Sequence, residues 1–350
     1  MSRTTSYAPI LAKIGAERSK LLSEDKLKSI SGSRNLTEFS AQLRDTAYQE
    51  QIAKIIPPVT TRKLERAFNE NLIEIYIKII KNSPKKARKY LELFLLRFEI
   101  EHVKTIMKTT SAKLTPEQKQ SKIYFSVENY FKKRATMEEA LKASNVGQAI
   151  HAFKGTDYWS ALNMGLKNYE EKASTAYFDV FVDKLFYEKL YESFDCLSKK
   201  EKRNAFFYAS MENDGFTLVT LLRGKALFHE PNWLRIIIPS NYFNLNQTMV
   251  EAVVTADDFD IALKIILDSY YSKFFVKAQT PEETIANAEK AFKKAVYQHA
   301  KTSVITEIFN IGAPLAFMNQ KEVEVYNLTA LSINAASESM HEETRTGLLL

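Results

Sequence analysis

Apolar residues recur at every third or fourth position along almost the whole chain, and this period constrains the fold more than any other feature. In the stretch from Thr61 to Asn82, the recurring residues are Leu64, Phe68, Leu72, Ile75 and Ile79. Residues at this spacing share one side of an α-helix, whereas a strand would alternate apolar and polar positions. The chain also has only 9 Gly and 9 Pro among 350 residues. Few turn residues predict few turns and long helices, so we expect an all-α protein.

Two more long helices are predicted from the same period. The second carries Phe178, Phe181, Leu185, Leu190, Phe194 and Leu197, and the third carries Ile285, Ala288, Phe292, Val296, His299, Ser303 and Ile308. The third is preceded by Thr280, Pro281 and Glu283, which supply a cap, a preset first residue and a capping-box carboxylate. The pairs Ser198 with Glu201 and Thr136 with Glu139 predict two further capping boxes.

Composition limits the class of protein. Hydrophobic residues make up 45% and charged residues 26% of the chain, as in ordinary globular proteins. A length of 350 residues predicts several domains or a repeat. The single cysteine, Cys196, excludes an intramolecular disulfide, and we expect it to be a small buried residue near a helix end. Charges at Lys13 and Glu17 predict that the N-terminal segment is not a secretion signal. No apolar run reaches the roughly 20 residues of a transmembrane helix.

Three segments align without gaps and indicate an internal repeat. They are EIEHVKTIMK from Glu99, DGFTLVTLLR from Asp214 and EVYNLTALSI from Glu324. In each, an acid is followed three residues later by a polar residue, namely His102, Thr217 or Asn327. Short helices led by Thr37, Thr136 and Thr248 precede these segments. The predicted repeat domains are 1–118, 119–235 and 236–350, and chance similarity among helical sequences is the alternative.

Patterns that would indicate a catalytic, nucleotide or metal site are missing from the sequence. It contains neither GxxxxGK[ST] nor GxGxxG, so it gives no support for nucleotide binding. The five histidines are His102, His151, His229, His299 and His341, and no two have the spacing of a zinc site. Glu322 and Glu324 stand two apart on a predicted helix and therefore point in different directions, which favours surface or interdomain contacts. We predict no catalytic residue, no cofactor and no metal.

Two basic clusters stand at equivalent places in the first two repeats. They contain Lys85, Lys86, Arg88 and Lys89 in the first, and Lys199, Lys200, Lys202 and Arg203 in the second. Lysines near a helix N-terminus oppose the helix dipole, so their recurrence suggests an acidic partner or anionic lipid. A solvated charged face is the alternative interpretation. The overall net charge of +7 does not discriminate between these possibilities, because 42 acidic residues are interspersed.

The segment PLAFMNQKEVEVYNLTAL, from Pro314, carries a family resemblance. It resembles the closing motif of the C subunit of archaeal and bacterial A/V-type rotary ATPases, which is related to the d subunit of the eukaryotic vacuolar pump. The matching residues are Lys321, Glu322, Glu324, Val325, Asn327 and Leu328. ENDGFTLVTLLRGKA, LRDTAY and LELFLLRFEIEHVKTIMK are similar to earlier family motifs. His102 and Thr217 replace the usual Asn, and the tail NAASESMHEETRTGLLL departs from the family's basic ending.

The resemblance implies three similar helical domains arranged as a pseudo-threefold funnel. It also implies a noncatalytic connector in the rotor, between the central-stalk subunits and the membrane proteolipid ring, which transmits torque. Such a protein would lie at the cytoplasmic face of the cell membrane as a peripheral subunit, with neither a nucleic acid nor a small-molecule substrate. The alternative from the residues alone is a helical-repeat scaffold that binds nucleic acid or proteins.

Overall fold

A computed structural model describes residues 3–336 of the chain. All regular secondary structure in these residues is helical, which confirms the predicted all-α class. The tail NAASESMHEETRTGLLL, which departs from the family's basic ending and contains His341, lies largely outside the described residues.

The helices within residues 3–336 are α1 Arg3–Arg18, α2 Glu24–Ser31, α3 Leu36–Ala41, α4 Gln49–Ala53, α5 Thr61–Asn82, α6 Lys85–Leu91, α7 Leu93–Ser111, α8 Pro116–Gln120, α9 Phe125–Phe131, α10 Arg134–Lys142, α11 Val146–Ala152, α12 Tyr158–Lys172, α13 Ala176–Asp195, α14 Lys199–Ala226, α15 Pro231–Ile237, α16 Gln247–Thr255, α17 Phe259–Leu267, α18 Pro281–Thr306 and α19 Gly312–Ala336. A 3₁₀ turn, Ser272–Phe274, follows α17.

The long helices agree with the apolar period. Helix α5 has the predicted bounds, and α13 and α18 correspond to the other two predictions. Ser198 and Glu201 form the predicted capping box at the start of α14. The Thr280 hydroxyl accepts a hydrogen bond from the Glu283 N–H at 3.2 Å.

The capping box predicted at Thr136 is wrong. Helix α10 begins two residues earlier, at Arg134, and its N-cap residue Lys133 makes no side-chain capping bond. Thr136 is therefore already within the first turn. A Thr–x–x–Glu spacing also occurs inside helices, so it locates a helix start only when the preceding backbone is extended.

The described chain divides into two compact units. The first combines the residues up to Arg88 with those from Lys293 onward, and the second runs from Lys89 to Phe292. In the first unit α5 packs along α19, and α1, α2 and α3 also contact α19. Phe39, Tyr48, Phe68 and Phe317 are fully buried there. The predicted three-domain division at residues 118 and 235 stays a prediction.

The second unit has α7 and α14 as its most buried helices. Helices α8 to α11 and α13 pack on α7, while α13 and α17 pack on α14. Helices α12 and α13 pack against each other over much of their length, and Gly165 lets α12 approach the Phe178 ring. None of the helices between residues 3 and 336 combines the length and hydropathy needed to cross a bilayer.

Gly165 and Gly15 form a matched pair for testing the packing of α12 on α13. A Cβ at Gly165 would lie 2.7 Å from Phe178 Cδ1 and 3.2 Å from the Tyr177 carbonyl oxygen, whereas a Cβ at Gly15 would meet no atom within 4 Å. Gly165→Ala should lower the free energy of unfolding by about 1–3 kcal/mol through overpacking. Gly15→Ala should raise it by about 0.5–1 kcal/mol through helix propensity. Urea denaturation measures both, and a stabilised Gly165→Ala protein would contradict the packing described.

Candidate functional site

The three acids of the repeated segment are buried inside the helices that carry them. Glu99 and Asp214 are completely buried, and 6% of Glu324 is exposed. A carboxylate removed from water destabilises a fold unless hydrogen bonds or an opposite charge replace its hydration. The partners of these acids therefore define the sites.

Glu324, on α19, is held by a lysine, a tyrosine and a backbone amide. Lys321 Nζ lies 2.6 Å from Glu324 Oε1, to which the Tyr48 hydroxyl donates at 2.7 Å. The Leu22 N–H donates to Oε2 at 2.5 Å. Lys321 and Glu324 are three residues apart and share one face of the helix. Tyr48 and Leu22 arrive from the opposite end of the sequence.

The lysine and the tyrosine of this site also contact each other. Lys321 Nζ donates to Tyr48 Oη at 2.9 Å and lies 4.1 Å from the centre of the ring. Burial lowers the pKa of Lys321 against the opposing effect of Glu324. Burial, and after it the Glu324 carboxylate, raises the pKa of Tyr48 well above its usual value, so the hydroxyl keeps its proton as a donor. We call Tyr48, Lys321 and Glu324 the terminal triad.

Asp214, on α14, is held by hydrogen bonds alone, without a lysine. The Tyr271 hydroxyl donates to Asp214 Oδ2 at 2.6 Å. Three consecutive backbone amides of the loop before α16 also donate to the carboxylate, from Phe243 at 3.0 Å, Asn244 at 2.6 Å and Leu245 at 3.2 Å. Burial, and after it the carboxylate, raises the pKa of Tyr271. The carboxylate thus fixes both the loop and the tyrosine.

Glu99, on α7, has the same kinds of partner in a looser arrangement. Lys133 Nζ lies 2.6 Å from Glu99 Oε1 and 5.1 Å from the centre of the Tyr158 ring. Glu99 Oε2 and the Tyr158 hydroxyl are both buried, without a hydrogen bond of normal geometry. Burial, and after it the Glu99 carboxylate, raises the pKa of Tyr158. Burial also raises the pKa of Glu99 itself, against the effect of Lys133.

A second buried carboxylate, Glu128 on α9, contacts His102 of α7. The Tyr124 N–H donates to His102 Nε2 at 3.1 Å, so we assign the ring proton to Nδ1, which donates to Glu128 Oε1 at 2.6 Å. Burial raises the pKa of Glu128 to about 8. The Thr217 hydroxyl, at the position equivalent to His102, donates instead to the Asn213 carbonyl at 2.9 Å. This motif position therefore has different partners in two of the segments.

Of the two interpretations of Glu322 and Glu324, surface or interdomain contact, the surface one is wrong for Glu324. Glu322 is partly exposed and lies 3.4 Å from the Tyr76 hydroxyl, but Glu324 is buried in the terminal triad. Spacing along one helix separates the two carboxylates correctly. It does not reveal Tyr48, which is 276 residues away in sequence.

Most residues of the basic clusters are exposed. Lys85, Lys86, Lys89, Lys199, Lys200 and Arg203 lie at the surface. In contrast, the Arg88 guanidinium donates to the Lys81 carbonyl at 2.9 Å, and Lys202 pairs with Asp195.

Cys196 lies at the end of α13, as expected, but it is exposed rather than buried. Lys89 Nζ is 3.7 Å from its sulfur. The thiol lies 3.4 Å from the carbonyl oxygen of Glu192, which is also exposed.

Sequence inspection found Tyr48 within LRDTAY but missed Tyr158 and Tyr271. All three follow a hydroxyl residue by two positions, as Thr46, Thr156 and Ser269 show. This spacing, read together with a helix-capping Asn or Asp thirteen residues before the tyrosine, would have found them.

The acids have the contacts of structural anchors. The Glu324 and Asp214 carboxylates are engaged by donors of the protein itself, and Glu99 pairs with Lys133. Within residues 3–336, no group of three or more His, Cys, Asp and Glu side chains could hold a metal ion.

Comparison with known proteins agrees with the resemblance. The sequence matches the model of the ATP synthase (C/AC39) subunit family over residues 10–345. The chain belongs to this family. It is 24% identical to the C subunit of the A-type ATP synthase of Methanocaldococcus jannaschii, over 98% of this chain and 86% of that protein. The corresponding C subunits of Thermococcus kodakarensis and Pyrococcus abyssi are 25% and 23% identical, over 93% and 94% of this chain and 86% of each relative. The predicted family is thereby confirmed.

The terminal triad predicts a strong asymmetry between single and double substitutions. Glu324→Gln leaves the Lys321 ammonium buried without its counter-charge, so the free energy of unfolding should fall by about 3–5 kcal/mol. Lys321→Met combined with Glu324→Gln removes both charges and should recover a large part of this loss. Urea denaturation of wild type, both single variants and the double variant tests the interaction. Additive losses would contradict a direct pair.

Glu128 predicts a pH dependence of stability. Its pKa rises from an ordinary 4.5 to about 8 on folding, so the folded state holds a proton that the unfolded state loses between these values. Its contribution to stability is therefore greatest below pH 4.5 and is lost as the pH rises to about 8, at up to about 1.4 kcal/mol per pH unit. Glu128→Gln carries no ionisable group and should lack this loss. Unfolding free energies of both proteins at pH 5 and pH 8 give the comparison, and an unchanged difference between them would contradict the raised pKa.

Proposed function

We propose that this protein is the noncatalytic connector in the central rotor of an A/V-type rotary ATPase. In this role it links the central stalk to the membrane proteolipid ring. It transmits the torque that couples ATP synthesis or hydrolysis to proton or sodium transport. Membership of the ATP synthase (C/AC39) subunit family is the observation that carries the proposal.

The mechanical requirement explains why a helical protein suits this role. A shaft of two helices side by side is about 20 Å wide, so it needs an adaptor to grip a wider ring. An adaptor that transmits torque must resist deformation, and close-packed helices have low compressibility. Buried acids held by two or more partners each add directional bonds between helices. We further propose three similar helical domains in a pseudo-threefold funnel.

We propose the exposed lysines and arginine of the two basic clusters as contacts for acidic surfaces of the partner subunits. Lys199 and Lys200 are exposed at the N-terminus of α14, where positive charge opposes the helix dipole. Arg203 stands one turn further along, on the same face as Lys199. Positive charges at this position lower the stability of the helix. Their presence there therefore supports a role in binding. Attachment through the ring would hold the protein at the cytoplasmic face of the membrane.

The alternative is a helical-repeat scaffold that binds nucleic acid or proteins. The same basic residues would serve such a function, and binding to nucleic acid would weaken steeply with salt. The aromatic residues favour the connector, because most pack against other rings inside the units rather than standing free for base stacking.

Copurification tests the proposed function. Tagged protein from detergent-solubilised membranes of the native cell should carry with it the ring proteolipid and the central-stalk subunits. Isolated protein should not hydrolyse ATP. Recovery of nucleic acid or unrelated soluble proteins in place of the rotor subunits would reject the connector and favour the scaffold.

A charge-reversal pair locates the contact. Lys199→Glu with Lys200→Glu should reduce recovery of the partners at least several-fold without unfolding the protein, because glutamates at a helix N-terminus are favourable to its dipole. Lys28→Glu with Arg34→Glu reverses two exposed charges elsewhere and serves as the control. Equal recovery of the partners from both variants would reject the basic cluster as a contact. The connector function itself would still be tested by the copurification experiment.

A further inference from the structure

One arrangement of short helices occurs three times in the described chain. A short helix begins after a side chain that caps the amide three residues on, at 2.9 Å for Asn35, 2.9 Å for Asn145 and 2.8 Å for Asp258. Thirteen residues after each cap stands a buried tyrosine, namely Tyr48, Tyr158 and Tyr271. Equal spacing from cap to tyrosine indicates that the three segments adopt one backbone path.

The turn before each tyrosine is also the same. A hydroxyl two residues earlier donates to the carbonyl three residues before it, at 2.6 Å for Thr46, 2.7 Å for Thr156 and 2.7 Å for Ser269. The same hydroxyl accepts from the tyrosine N–H at 3.2, 3.3 and 3.1 Å, respectively. These local bonds fix where each tyrosine side chain leaves the backbone.

This correspondence corrects the alignment of the Thr-led helices. The helix led by Thr37 is α3, which matches α11 and α17 by its cap and its tyrosine. Thr136 and Thr248 lie in the helices before α11 and α17 and so correspond to α2. The sequence pattern misaligned the first repeat by one helix because Thr is common at the start of any helix.

Each tyrosine meets the acid of one long helix, which we call the acid helix. Tyr271 donates to Asp214 of α14, and Tyr48 donates to Glu324 of α19. At α7, Lys133 contacts both the Glu99 carboxylate and the Tyr158 ring. A later long helix, which in the segment after α7 follows the 15-residue α12, also contacts the same acid helix. Helix α13 packs on α7 and α5 packs on α19, while the Phe292 ring of α18 lies against Gly215 of α14.

The order of these parts along the chain differs between the two units. In the second unit, each acid helix precedes the short helices that it binds, with Asp214 standing 57 residues before Tyr271. In the first unit, the acid helix is the last element, and Glu324 follows Tyr48 by 276 residues. The short helices that complete α19 are therefore those at the start of the chain.

We propose that the structural repeat of this protein begins at the acid helix and ends at the following long helix, and that the third copy is assembled from both ends of the chain. The three acids act as equivalent positioning residues. Glu324 and Asp214 each accept a hydrogen bond from the tyrosine of one short-helix segment, and Glu99 holds Lys133, which lies against the Tyr158 ring. The terminal triad joins the N-terminal part of the chain to its C-terminal helix, because it binds the segment 24–53 to α19. This assignment requires no partner protein and does not rest on the proposed function.

Hydrogen–deuterium exchange of the isolated full-length protein tests the assignment. Each acid should protect mainly the short-helix segment that contains its tyrosine. Glu324→Gln should increase exchange about 10-fold or more in peptides from 24–53, and much less in peptides from 247–271, which belong to the other compact unit. Asp214→Asn should do the reverse. Glu99→Gln should affect 134–158.

Two tyrosine variants separate this pairing from general destabilisation. Tyr48→Phe removes one hydroxyl and should increase exchange in the same peptides as Glu324→Gln, and the two effects should not add. Tyr271→Phe should loosen 247–271, whereas Tyr270→Phe, whose residue is 53% exposed, is the matched control and should change nothing.

Two results would overturn the assignment. If Glu324→Gln increased exchange in 247–306 and left 24–53 at the wild-type rate, the repeat would follow the linear order of the sequence. If all three acid variants increased exchange equally throughout the chain, the acids would contribute general stability without positioning particular segments.

Discussion

A buried carboxylate must find donors inside the protein, and this requirement organises the whole chain. Glu99, Asp214 and Glu324 lie within helices, where their own backbone offers no free donor. Each must therefore be met by other side chains or by backbone amides of another segment. The lysine, tyrosine and loop amides that meet them are the residues that join short helices to long ones.

The three acids satisfy one requirement by different means. Lys321 and Lys133 supply a positive charge in two sites, and three consecutive amides replace it around Asp214. A tyrosine lies at all three sites. The Tyr48 and Tyr271 hydroxyls donate to their acids, whereas Tyr158 contacts Lys133 through its ring. Similar positions therefore persist although the sequence repeat is weak.

These contacts suit the mechanical role proposed for the protein. A reaction needs a group whose bonding changes during turnover, whereas the donors around Asp214 and Glu324 are already engaged in holding helices together. Directional bonds between buried groups also resist sliding of one helix past another, which a purely apolar contact permits more easily. The family of ATP synthase subunits to which the chain belongs is consistent with a protein that joins others.

Local features were the most predictable. The bounds of α5 and the capping box at Ser198 follow from residues a few positions apart, which the sequence displays directly. The acid motif was also visible, together with Tyr48. Burial of Glu324, exposure of Cys196 and the correct alignment of the Thr37 helix were missed. Each of these depends on what packs against the residue, and periodicity along one helix carries no such information.

By itself, the sequence determined that the chain is helical, where its long helices lie and to which family it belongs, because periodicity, capping and motifs are local or inherited properties. Only the tertiary structure decided which segment each acid binds. Glu324 and Tyr48 stand at opposite ends of the chain, and their bond exists because folding brings together residues that the sequence keeps 276 positions apart. The physical reason is that a buried charge selects its partner by position in space, whatever its position in the chain.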